Sequence, residues 1–113
     1  MIRVKWQLEE IVALVDLYKR TVCLDKAARV TEIEKLSILL NRRADVLGIK
    51  RDEKYRNITG ITMMYENVRY VATNGEKGLS AANKLIYEVW DMSINNPELI
   101  NQIYKQVLDK YNL

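Results

Sequence analysis

Hydrophobic and polar positions alternate along this 113-residue chain at spacings of three and four, the period of helices that bury one face. Leu8, Ile11, Val12, Val15 and Tyr18 form a first stripe. Glu9 and Glu10 lie in its first turn and Lys19 and Arg20 in its last, the placement that the helix dipole favours. Thr31-Glu32-Ile33-Glu34 matches a capping box. It predicts a second helix with Ile33, Leu36, Leu39 and Leu40 inside, ending near Arg42–Arg43. Residues 44–56 are mixed and hold Gly48, so they read as a loop with one short turn. A third helix is expected from about Asn57–Thr59 to Val71, burying Ile61, Met64, Val68 and Val71 and pointing Met63, Glu66, Asn67 and Tyr70 elsewhere.

Thr73-Asn74-Gly75-Glu76-Lys77-Gly78 is the clearest loop. Ser80 is the expected cap of a fourth helix through Ala82, Leu85, Ile86, Val89 and Trp90. Asn96-Pro97 places a cap before proline at the first helical position, where the missing N–H costs nothing. It opens a last helix carrying Ile100, Ile103, Tyr104, Val107, Leu108 and Tyr111. The expectation is an all-α chain, a compact single domain of about five helices over 1–113, with no repeat and no second domain.

Composition removes most enzymatic chemistry. There is no histidine and only one cysteine, which excludes histidine-based nucleophile pairs, histidine metal centres and internal disulfides within the sequence given. Cys23 is expected to be a small buried hydrophobe. Glu9–Glu10 and Glu32–Glu34 fit helix-dipole stabilisation better than acid–base work, and Gly75-Glu76-Lys77-Gly78 lacks the spacing of a phosphate-binding loop. No catalytic residue, cofactor or metal is expected. No run is long enough to span a membrane. Met1-Ile2-Arg3-Val4-Lys5-Trp6 has no apolar signal core, so a cytoplasmic location is expected.

Charge then singles out the middle of the chain. The net charge is +3, and residues 42–69 hold seven basic against four acidic side chains. Here Lys54 and Arg56 stand just before the third helix, whose free backbone N–H groups near Asn57 and Gly60 suit a phosphate. On that helix Asn67 is suited to adenine and Arg69 to guanine or phosphate. Lys77, Gly78 and Ser80 form a second candidate, with glycine admitting close backbone approach. The alternative for both groups is ordinary capping and surface. Tyr55, Tyr65 and Tyr70 either stack on bases or close the core, and Trp6 and Trp90 are expected as core or groove-edge packing. Met63, Tyr65 and Tyr70 would equally suit a dimer patch.

The order Trp6, Glu9-Glu10-Ile11-Val12, Ile33-Glu34-Lys35-Leu36-Ser37, Tyr55-Arg56-Asn57, Gly60, Lys77-Gly78-Leu79-Ser80 and Glu88-Val89-Trp90 resembles a known domain. It is the small helical domain found ahead of the nuclease in bacterial HNH endonucleases of the McrA-like, modified-DNA restriction type. The resemblance runs from about Lys5 to about Leu108. Such domains often follow the Arg-Asn pair with proline and a second asparagine, where this chain has Ile58 and Thr59. It implies a DNA-recognition or targeting module in which Arg56, Asn57, Gly60, Lys77, Gly78 and Ser80 matter, without the histidine-dependent nuclease. The partner expected is duplex DNA, with a nuclease domain or defence protein beside it. The chain is then either a fragment of a longer restriction enzyme or a stand-alone protein. A second function also fits: a phage or mobile-element anti-defence inhibitor that binds a bacterial defence nuclease directly.

Overall fold

Five helices account for most of the chain: α1 (Leu8–Thr21), α2 (Lys26–Leu47), α3 (Ile58–Ala72), α4 (Lys84–Asn95) and α5 (Pro97–Tyr111). The computed structural model describes residues 4–111, so the expectation built on Met1-Ile2-Arg3 lies partly outside them. Among the described residues there is no strand, and the architecture is all-α. No helix of the described residues is long and apolar enough to cross a membrane.

The arrangement follows from α1. Its centre, Ile11-Val12-Ala13-Leu14-Val15, is an uninterrupted apolar run and is buried throughout. A helix apolar on every side must be enclosed. α1 contacts each of the other four helices, which form a ring around it in the order α2, α3, α4, α5 and back to α2; the pairs α2–α4 and α3–α5 do not touch among the described residues. The ring helices turn apolar residues toward it: Ile33, Leu36, Leu39 and Leu40 on α2, Ile61, Tyr65, Val68 and Val71 on α3, Ile86 and Val89 on α4, Ile100 and Val107 on α5.

Several boundaries differ from the sequence expectation, each for a local reason. α2 starts at Lys26 because the Asp25 carboxylate accepts the Ala28 N–H at 2.8 Å. Lys26-Ala27-Ala28-Arg29 are good helix formers, so Thr31 falls inside the helix, where its hydroxyl donates to the Ala27 carbonyl. At the other end α2 runs past Arg42–Arg43 to Leu47 and stops at Gly48, whose φ of 68° is the left-handed conformation that closes helices. The Ile49 N–H then returns to the Ala44 carbonyl.

Ser80 caps nothing. The Leu79 N–H donates to the Glu66 carbonyl, which ties the segment to α3, and the cap of α4 is Asn83, accepting from the Ile86 N–H at 2.9 Å. Ala82 therefore precedes α4. Asn57 does cap α3, and Pro97 does open α5. Tyr65 is buried, which removes it from any dimer patch with Met63 and Tyr70, and Asn67 is buried too; α3 hides a wider face than one stripe because α1, α2 and α4 all pack on it. Cys23 is exposed, placed in the turn between α1 and α2 and clear of the core.

Candidate nucleic-acid interface

Glu10 occupies a core register of α1, four residues before Leu14 and seven before Leu17, and is 0% exposed. A carboxylate so placed requires charged and hydrogen-bonding partners. The structure supplies them from the segments expected to face a ligand. Arg56 donates through Nε to Glu10 Oε2 at 2.5 Å and through Nη2 to Oε1 at 3.0 Å. Its remaining donors reach the Val4 and Lys5 carbonyls at 3.2 Å. The guanidinium lies between the rings of Tyr55 and Trp6, at 4.3 and 4.5 Å. The Tyr55 hydroxyl also donates to Glu10; burial raises its pKa above the ordinary tyrosine value, the Glu10 charge pushes the same way, and Arg56 opposes.

Arg43, also buried, extends the cluster. Its Nε donates to Glu9 at 3.0 Å and its Nη2 to the Gln7 side chain at 2.6 Å. Glu9 further receives the Tyr111 hydroxyl and an ion pair from Lys110. The start of α1, the end of α2, the 49–57 loop and the end of α5 are thus locked by one ionic network. Much of the positive charge of residues 42–69 is held within the protein. Arg43 and Arg56 face carboxylates in this network and Arg51 pairs with Asp45 at 2.6 Å, whereas Arg69 is 3.5 Å from Glu66 and its Nε has no hydrogen-bond partner. Lys50 and Lys54 are exposed and make no ion pair among the described residues.

Eight of the nine residues expected at the interface separate into two groups, one at each end of α3. Lys54, Arg56, Asn57 and Gly60 lie at its N-terminal end. There the Asn57 side chain accepts the Gly60 N–H at 2.8 Å, so that donor is already used, and Arg56 is turned inward. Arg69, Lys77, Gly78 and Ser80 gather near the C-terminal end. Fifteen residues at 1.5 Å rise separate the ends by roughly 22 Å. Asn67 lies between them, 7% exposed, with Nδ2 near the Met64 sulfur at 3.6 Å and Oδ1 without a hydrogen-bond partner; it offers no amide edge to a base. Gly78 has φ 90°, and a Cβ there would sit 2.3 Å from the Glu66 carbonyl oxygen and 2.7 Å from the Tyr70 nitrogen. The close approach this glycine permits is to α3.

The second group has neighbours that the linear sequence does not disclose. Tyr65 donates to or accepts from the Thr21 hydroxyl at 3.0 Å and packs its ring against Tyr18. Burial raises the Tyr18 pKa, with the Arg69 charge acting against it. The guanidiniums of Arg29 and Arg69 both lie over Tyr65, at 5.7 and 5.8 Å. Lys26 is one turn before Arg29 on the same face of α2. Arg29 and Lys26 were not singled out by sequence because they sit in α2's first turn, within the stretch assigned to the connection before the Thr31 pattern. Among the described residues no group of acidic or cysteine side chains is arranged to hold a metal ion. No protein-family model, curated protein or solved structure matches the chain.

Proposed function

We propose that the chain is a non-catalytic module that binds duplex DNA, the role implied by its resemblance to the domain that precedes HNH restriction nucleases. The observation that carries this reading is the set of cations left without carboxylates. Lys5, Lys19, Lys26, Lys50, Lys54, Lys77 and Lys105 are exposed and make no ion pair among the described residues, and Arg29 donates to the Leu24 carbonyl and to no carboxylate. Such side chains contribute sequence-independent affinity by releasing counterions from phosphates. With about four phosphate contacts, affinity for a 20-base-pair duplex should fall roughly a hundredfold between about 50 and 200 mM salt. Fluorescence anisotropy reads this directly. A labelled duplex that stays unbound at 50 mM salt and high micromolar protein contradicts the proposal.

A different observation favours the second reading, a protein that blocks a defence nuclease. Between α2 and α5 a cleft of about 320 Å³ has an apolar floor of Leu36, Leu39, Tyr104 and Leu108 and a charged rim that includes Arg20 and Glu32. Ile38 beside it is 54% exposed. Exposed apolar surface rimmed by charge is typical of protein contacts. Plasmid cleavage by a purified HNH restriction nuclease should then stop on adding the chain in salt too high for DNA binding. Cleavage at the unchanged rate counts against this reading.

A further inference from the structure

Arg29 on α2 and Arg69 on α3 are forty residues apart in sequence and converge on the one ring of Tyr65. Two guanidiniums within 6 Å of the centroid of one ring add positive charge that favours a counter-charge nearby. The carboxylates around them supply little. Glu66 is 3.5 Å from Arg69 Nε, an ion pair too long for a good hydrogen bond; Asp25 is committed to the α2 cap; Glu76 is exposed in the 73–78 loop. Arg29 has no carboxylate partner among the described residues, and the buried Nε atoms of both arginines lack hydrogen-bond partners. This differs from the opposite end of α1, where Arg43 and Arg56 meet Glu9 and Glu10.

The surroundings favour an anion further. Lys26 lies one turn from Arg29 on α2, and Gly78 brings the 77–79 segment against the Arg69 stem. Planar guanidiniums bind phosphate with two parallel N–H donors, which a lysine lacks.

We infer that Arg29 and Arg69, braced on Tyr65, form a phosphodiester-binding pair, with Lys26 and Lys77 flanking it. This assignment rests on the DNA-binding reading and names the face of the protein that carries it; the Lys50–Lys54 end is peripheral.

The test compares wild type, Arg29→Gln, Arg69→Gln, the surface double variant K26Q/K77Q and the distant double variant K50Q/K54Q. Each is titrated with a labelled 20-base-pair duplex over about 50–200 mM salt, with circular dichroism verifying the fold. Each arginine variant should weaken binding about tenfold and lower the salt slope by about one unit. K26Q/K77Q should weaken it severalfold, and K50Q/K54Q less than threefold. If an arginine variant unfolds, K26Q/K77Q against K50Q/K54Q still decides between the two ends.

Binding lost in K50Q/K54Q and unchanged in the other variants would overturn the assignment while leaving the DNA reading intact. A wild type that ignores DNA would overturn both. Val22 and Leu24 are exposed in the adjacent turn, so vesicles of phosphatidylserine and phosphatidylcholine complete the set. Binding to vesicles and not to the duplex would reassign this face to lipid phosphates and overturn the nucleic-acid assignment.

Discussion

Arg56→Ala is expected to cost about 3–5 kcal/mol of folding stability, the usual consequence of stranding one member of a buried ion pair. The substitution leaves the Glu10 carboxylate, 1% exposed at its side chain, with the Tyr55 hydroxyl, the Gln7 N–H and Arg43 Nη1 at 3.8 Å. It also empties the space between Trp6 and Tyr55. A domain of this size is stable by only about 5–15 kcal/mol, so the loss should be large in urea or thermal unfolding. Replacing both partners by apolar side chains, E10L/R56M, should recover part of it, because neither charge is then left buried alone. A cost below about 1 kcal/mol for Arg56→Ala would show that the network is not structural. The same variant separates two accounts of Arg56. If its role is internal, the fraction that remains folded should bind DNA as wild type does.

Gly78→Val should be the most damaging change in the 73–80 loop. At φ 90° a β-branched residue is strained by about 1–3 kcal/mol. The added Cβ also meets main-chain atoms of Glu66 and Tyr70 at 2.3 and 2.7 Å, which cannot swing aside as a side chain would. The loop must lift from α3 and break the bond from the Leu79 N–H to the Glu66 carbonyl. Hydrogen exchange of the Leu79 amide checks this: it should be protected in the wild type and fast in the variant. Ser80→Ala, two residues away at an exposed position without a capping role, should change stability by less than about 0.5 kcal/mol.

The helical class, the stripes of α3 and α5 and that of α1 from Ile11 onward were legible because apolar spacing and strong punctuation agreed at Asn57 and at Asn96-Pro97. Leu8, expected inside, is exposed in the first turn of α1. Spacing and punctuation failed where two signals competed. Thr31-Glu32-Ile33-Glu34 has the pattern of a capping box, yet Asp25 precedes four helix-compatible residues and caps first. Ser80 precedes an apolar run, yet the contact of Gly78 and Leu79 with α3 delays α4 until Asn83.

The candidate site was less legible, since its meaning depends on which charges meet. One signal was present in the sequence: Glu10 shares the register of Leu14 and Leu17, and a carboxylate in an apolar register calls for a buried cation. Which cation answers it could not be read, because Arg43 and Arg56 are 33 and 46 residues further along the chain. The pairing of Arg29 with Arg69 around Tyr65 was hidden for the same reason. Part of the excess charge of the middle segment, Arg43 and Arg56, holds the helices together.

On the proposed reading, the arginines at one end of α1 are structural and those at the other end meet the duplex. Amide chemical-shift mapping of the isotopically labelled protein during titration with a 20-base-pair duplex tests it most directly. Shifts should concentrate in residues 21–29 and 65–79, with the Arg29 and Arg69 side-chain Nε–H signals moving and that of Arg56 unchanged. Shifts centred on residues 50–60, with the Arg56 Nε–H signal moving and 21–29 silent, would contradict it.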